Sequence, residues 1–201
     1  MPLPSCDIAR EPLHTRTIRV QSYARADGLF DLEAELLDVK SYDFETYRGT
    51  HPAGEPVHCI LLRVTIDDSY TIVSAQAAYD NAPYGSCAAI APDYADLVGL
   101  NLLRGFRQKV KERFGREAGC THLSELTWVL PTAAIQSMTS RRIAAQKADP
   151  TQRPFQLDGC HALKVSGSVV KALYPQWFVA AETPSQNAAT ANFSLSHTTD
   201  R

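Results

Sequence analysis

The chain has 201 residues, 44% of them hydrophobic and 21% charged, the balance of an ordinary globular protein. Twenty basic residues against 22 acidic ones leave a net charge of -2. No cationic field exists to drive broad phosphate contact, so nucleic acid is not an expected partner. No run approaches the roughly 18 apolar residues of a membrane-spanning helix, and residues 1–6 lack the basic and apolar regions of a secretory signal.

Residues 1–12 carry three prolines and no period, and are expected to be an irregular lead-in. Alternation begins near Thr15, with Ile18 and Val20 between polar neighbours. Asp27-Gly28 supplies a hairpin turn. Phe30, Leu32, Ala34 and Leu36 then alternate with Asp31, Glu33 and Glu35, which predicts a second strand with one oily and one charged face. An aromatic and glycine-rich loop covers 41–56. A third strand is predicted over 57–67 and a fourth over 70–79, separated by Asp67-Asp68-Ser69. Four strands with short or medium connections read as an antiparallel meander.

Beyond Gly85 the period becomes helical. Pro92 and Asp93 mark an entry, and Leu100, Leu103, Phe106, Val110 and Phe114 predict one helix ended by Gly115. Thr121 is the expected cap of a second helix with the stripe Leu123, Leu126, Leu130, Ala134 and Met138, which Pro131 should kink or divide. Residues 146–158 read as polar and irregular. A short amphipathic piece surrounds 169–173, and the polar tail 179–201 is expected to be disordered. The expected architecture is α+β: one domain over 13–178, a four-stranded antiparallel meander sheet covered on one face by two main helices.

Strand parity locates candidate chemistry. On the second strand the apolar even positions continue into Asp38 and Lys40; on the third, His58 precedes Ile60 in the same register. All three should project from the core side at one sheet edge. Burial without partners costs several kcal/mol, so these groups either pair or line a cavity. The structural alternative is an ion pair capping the core. His122 and Glu125 stand three residues apart in the first turn of a helix, where the dipole disfavours imidazolium. A neutral histidine beside a carboxylate is a candidate acid–base pair, against the alternative of simple helix capping. Tyr42, Phe44 and Tyr47 in the 41–56 loop are candidates for stacking on a flat substrate, or for anchoring that loop.

The five cysteines, Cys6, Cys59, Cys87, Cys120 and Cys160, are odd in number and widely spaced, which fits reduced thiols in a cytoplasm. No Cys-x-x-Cys or His-Glu-x-x-His is present, so no metal is expected; a zinc site would need ligands from three separate segments. The basic residues from Arg104 to Arg116 read as a solvated helix face. No phosphate-binding glycine motif occurs, and no cofactor is expected.

Several collinear stretches carry a family resemblance. They are Leu13-His14-Thr15-Arg16, Asp27 through Glu33, Pro52 through His58, Leu61 through Asp67, Gly119-Cys120-Thr121-His122-Leu123, Leu157 through Leu163, and Tyr174-Pro175-Gln176-Trp177. Over roughly 10–178 the chain resembles a bacterial family, domain of unknown function 2889. That resemblance implies catabolism of plant-derived aromatics, including lyase chemistry on phenolic dimers, and carries no residue roles. The reading that follows is a cofactor-independent acid–base lyase for a small aromatic phenol, removing a hydroxymethyl group as formaldehyde. His58 or His122 would carry the proton, Lys40 would stabilise a phenolate, and Asp38 or Glu125 would orient a neighbour. The rival readings are a non-catalytic binding module and a zinc hydrolase using Cys120 or His122. A symmetric homodimer is the expected assembly.

Overall fold

The computed structural model describes residues 3–180. The chain divides into two compact units, Met1–Arg141 and Arg142–Arg201. The expected disordered tail falls, from residue 181 on, outside the described residues; residues 3–13 carry neither helix nor strand.

In the first unit, β1 (His14–Ala24), β2 (Phe30–Lys40), β5 (Pro56–Ile66) and β6 (Ile72–Asn81) form an antiparallel sheet in the order β1-β2-β5-β6. The protein is thus α+β with the expected four-stranded meander. The alternation seen in β2 is its cause. Phe30, Leu32, Ala34 and Leu36 are buried, while the intervening acidic residues stay half-exposed. On the outer face Arg19 pairs with Glu35 and Arg63 with Glu33, joining strands by opposite charges. The 41–56 loop contains an additional short hairpin, β3 (Phe44–Thr46) and β4 (Gly49–His51), too brief to show in the hydropathy pattern.

The single helix expected over 92–114 is instead two pieces. A 3-10 segment (Cys87–Leu97) packs on β6, and α1 (Phe106–Phe114) follows. Gly99 and Gly105, both at positive φ, break the path between them. The intervening chain hydrogen-bonds along β6 instead: Ile72 donates to the Leu100 carbonyl and Gly99 to that of Ile72. The helical spacing arose because Leu100, Phe106, Val110 and Phe114 are buried and Leu103 is partly so, though by different backbone routes.

Helix α2 (Thr121–Ser137) crosses β1, β2 and β5 and packs against α1. Its stripe of Leu123, Leu126, Leu130 and Ala134 is fully buried. It continues through Pro131 undivided: a proline removes only one donor, and the buried stripe on both sides holds the helix together. Helix α3 (Thr139–Ala148) has no buried residue, so no apolar stripe announced it, and the division between units falls within it.

The second unit carries α4 (Ser168–Leu173), at the amphipathic piece read from sequence, between 3-10 turns at His161–Leu163 and Pro175–Trp177. Asp158, at φ 63, accepts the Val165 N–H and pairs with Arg153, closing the Gly159-Cys160-His161 loop.

Candidate active site

Residues directly opposite in an antiparallel ladder point to the same face. The apolar row Ile18–Leu36–Ile60 is followed, two residues on, by the row Arg16–Asp38–His58. The core floor therefore ends in three ionisable groups side by side. The β2–β5 ladder shifts register between Asp38 and Val39, next to this row, as bulges beside functional sites do. His14 lies diagonally behind it, and the first turn of α2 brings His122 and Glu125 over it.

Asp38 is the centre and is 2% exposed. Arg16 grips it with both arms of its fork, Nε to Oδ1 and Nη2 to Oδ2, each at 2.7 Å. His14 Nε2 lies 2.9 Å from Oδ1 and His58 Nδ1 2.9 Å from Oδ2. The third nitrogen of Arg16 binds Glu125. Burial opposes charge on Asp38, but the hydrogen bonds from Arg16 and His14 and the positive field outweigh it and hold the carboxyl at about 2. Asp38 is ionised throughout the neutral range.

The two inner imidazoles behave differently. Burial pushes His58 below its usual value, against the pull of Asp38. His122 is pushed down by burial and then by His58 and Arg16. Both are neutral at pH 7. Their rings lie 3.9 Å apart, tilted by 34°. The carboxylate accepts from His58 Nδ1–H, which places the lone pair of that neutral ring on Nε2. His58 Nε2 has no hydrogen-bond partner among the described residues, and the side chain is 16% exposed. An oriented imidazole with a free basic nitrogen, backed by a buried carboxylate, is suited to accepting a proton.

The start of α2 is fixed by a buried tyrosine. Tyr94 is fully buried; its hydroxyl accepts the Cys120 N–H and donates to the Cys120 carbonyl, both at 3.0 Å. Cys120, rather than Thr121, is the residue before the first turn, and the cap comes from this distant hydroxyl. Tyr94→Phe should lower stability by about 1–2 kcal/mol by leaving the Cys120 N–H unpaired, measurable by urea denaturation.

Asp38 and His58 therefore meet as parity required, and His122 joins them. Glu125 reaches the same cluster through Arg16 rather than by orienting His122. Lys40 turns away: its Nζ sits 4.0 Å from the Phe44 ring and 5.3 Å from that of Tyr42. Phe44 also packs on His51 and, with Arg48, Val57 and Asn81, lines a cavity of about 260 Å³. Tyr47 stacks outward on Tyr84. His14 and Arg16 stood in a stretch that carries the family resemblance but were given no site role from sequence. Their parity with Ile18 and Val20 was the available signal, the same one that identified Asp38.

Asp38, His58 and His122 also offer donor atoms within 4.8 Å of one another, a spacing a metal ion accepts. The carboxylate, however, has about four lone-pair positions, and Arg16, His14 and His58 occupy four. A cation there would have to displace His58 and lie against the Arg16 guanidinium.

This fold and site define an α+β protein with a buried Asp–His centre at the open end of its sheet. The chain belongs to the family described as protein of unknown function (DUF2889), whose model matches residues 14–136. That span contains every residue of the Asp38 cluster; the Cys160 and Tyr174–Trp177 stretches lie beyond it. No curated protein and no solved structure matches the chain. No helix among the described residues is long and apolar enough to cross a membrane.

Proposed function

We propose that the protein is a cofactor-independent lyase for a phenolic, plant-derived aromatic, releasing a hydroxymethyl group as formaldehyde. The observation that carries this reading is His58: a neutral imidazole oriented by buried Asp38, with Nε2 unpartnered. A phenol supplies its own electron sink, so the protein need contribute only proton transfer and positioning. The phenol gives its proton to the imidazole pair, and the imidazolium so formed passes that proton to the benzylic oxygen substituent as the ring expels it, leaving both imidazoles neutral. In the resulting quinone methide, His58 Nε2 takes the proton of the hydroxymethyl oxygen. The carbon–carbon bond breaks, its electron pair forms the new side-chain double bond, the ring returns to phenolate, and formaldehyde leaves. Arg16 holds Asp38 and Glu125 holds Arg16, so both act as positioning residues. Lys40, over the Phe44 ring, steadies the 41–56 loop.

The test is formaldehyde release from a phenolic dimer bearing a hydroxymethyl side chain and from its phenol-methylated analogue. Release from the first alone is expected. Equal rates from both would remove the quinone methide route, and binding without formaldehyde would favour a non-catalytic module.

The close donor spacing of Asp38, His58 and His122 favours the zinc reading as a second. Elemental analysis of freshly purified protein decides between them. Because Arg16, His14 and His58 together saturate Asp38, far less than one equivalent of metal is expected; one bound zinc per chain would replace the proton-transfer reading.

A further inference from the structure

The proton-transfer reading leaves one group in the site unused. The Cys120 sulfur lies 3.8 Å from His122 Nδ1. The other nitrogen of that ring, Nε2, lies 3.9 Å from Asp38 Oδ2, an electrostatic contact rather than a hydrogen bond. One imidazole thus stands between a thiol and a buried carboxylate, facing each with a different nitrogen. That is the order nucleophile, base, orienting acid that activated cysteines share on unrelated folds.

We propose that Cys120 is a nucleophilic thiol, with His122 as its base and Asp38 steadying the imidazolium, and that it takes soft electrophilic carbon conjugated to oxygen, such as an enone or a quinone methide. Three further features support it. Cys120 immediately precedes the first turn of the 17-residue α2, whose positive end stabilises charge developing on sulfur. Tyr94 holds both the N–H and the carbonyl of Cys120, so the backbone carrying the sulfur is fixed. The thiol is free and half-buried, and His122 is 24% exposed, so the pair is open to a small molecule. Arg16, Glu125 and neutral His58 are the other ionisable groups that act on His122.

In the step itself the thiol proton passes to His122 Nδ1 and the sulfur electron pair forms the carbon–sulfur bond. With a quinone methide, the exocyclic double-bond pair returns to the ring, and the phenolate oxygen then takes the proton from His122. With iodoacetamide the carbon–iodine bond breaks and iodide leaves. No oxidant or reductant is needed. The inference goes beyond the lyase reading and does not require it, since alkylation needs no lyase substrate.

The experiment is timed iodoacetamide labelling of the folded full-length chain at pH 7, read by peptide mass spectrometry, with exposed Cys6 and Cys160 as internal references. Cys120, although less accessible, is expected to label about tenfold faster than Cys6. His122→Gln should bring Cys120 down to the rate of Cys6 or below. Labelling of wild-type Cys120 no faster than Cys6 overturns the proposal, as does an unchanged rate in a folded His122→Gln protein. If that variant unfolds, its five thiols label alike and the wild-type ratio alone decides. Formaldehyde assays are read separately, so failure of the thiol proposal and failure of the lyase reading are distinguishable.

Discussion

Replacing Asp38 by asparagine should cost about 3 kcal/mol of folding stability, read from urea denaturation at pH 7, because it leaves the Arg16 guanidinium and two imidazoles around a neutral group. The lower end of the range for broken buried pairs applies, since Arg16 can turn its partly exposed head to water. The same substitution changes the pH dependence in a specific way. Asp38 falls from 3.8 in the unfolded chain to about 2 in the fold. A depressed carboxylate contributes stability above its unfolded value, worth about 2 kcal/mol here, and loses it as pH falls from about 4 toward 2. His58 and His122 are also depressed, so the unfolded state binds their protons first and stability declines as pH drops below about 6.5. Wild type should therefore weaken in two stages on acidification. Asp38→Asn should lack the stage below pH 4 and show a deeper histidine stage, because the carboxylate that raises His58 is gone. A variant that keeps the lower stage would show that Asp38 is not the group responsible.

The sheet was legible because its alternation is a direct consequence of having one buried face. Phe30 to Leu36 carries that pattern without interruption, Ile60 to Ile66 carries it blurred by apolar Leu61 and buried Thr65, and Gly28 at φ 87 makes the turn that its sequence announces. Asp38 and His58 were legible for the same reason: they occupy core parity with the wrong chemistry. Arg16 and His14 obey that parity too, but β1 is an edge strand with mostly exposed side chains and shows little contrast between its faces. Lys40 keeps its parity opposite His14, but it is the last residue of β2 and its long side chain carries the ammonium past the strand end onto the Phe44 ring. The cap of α2 could not be read locally at all, since Tyr94 stands 26 residues away and reaches Cys120 only in the folded chain. The division of the 92–114 segment was signalled by Gly99 and Gly105, yet burial of the intervening leucines imitated one continuous stripe. Local pattern thus revealed which faces are buried. Chain path and long-range partners depended on contacts with no sequence period.

His58→Gln separates the roles of the two histidines. Glutamine can still donate a hydrogen bond to Asp38 but cannot accept a proton near neutral pH, so the fold should survive while formaldehyde release falls by roughly 10²–10⁴. In wild type, burial keeps His58 unprotonated at neutrality, so the rate should be level through pH 7 and fall only on the acid side, below about 6.5. Because the imidazole rings lie 3.9 Å apart and both are depressed, that acid limb belongs to the pair rather than to either ring. The variants nevertheless divide the assignment. His122→Gln should lower the rate while keeping an acid limb, because the base is still present. His58→Gln should leave a residual rate without one. Should the acid limb survive in His58→Gln and vanish in His122→Gln, His122 is the base, and Asp38 acts on catalysis across 3.9 Å of electrostatic contact rather than through the hydrogen bond it makes to His58.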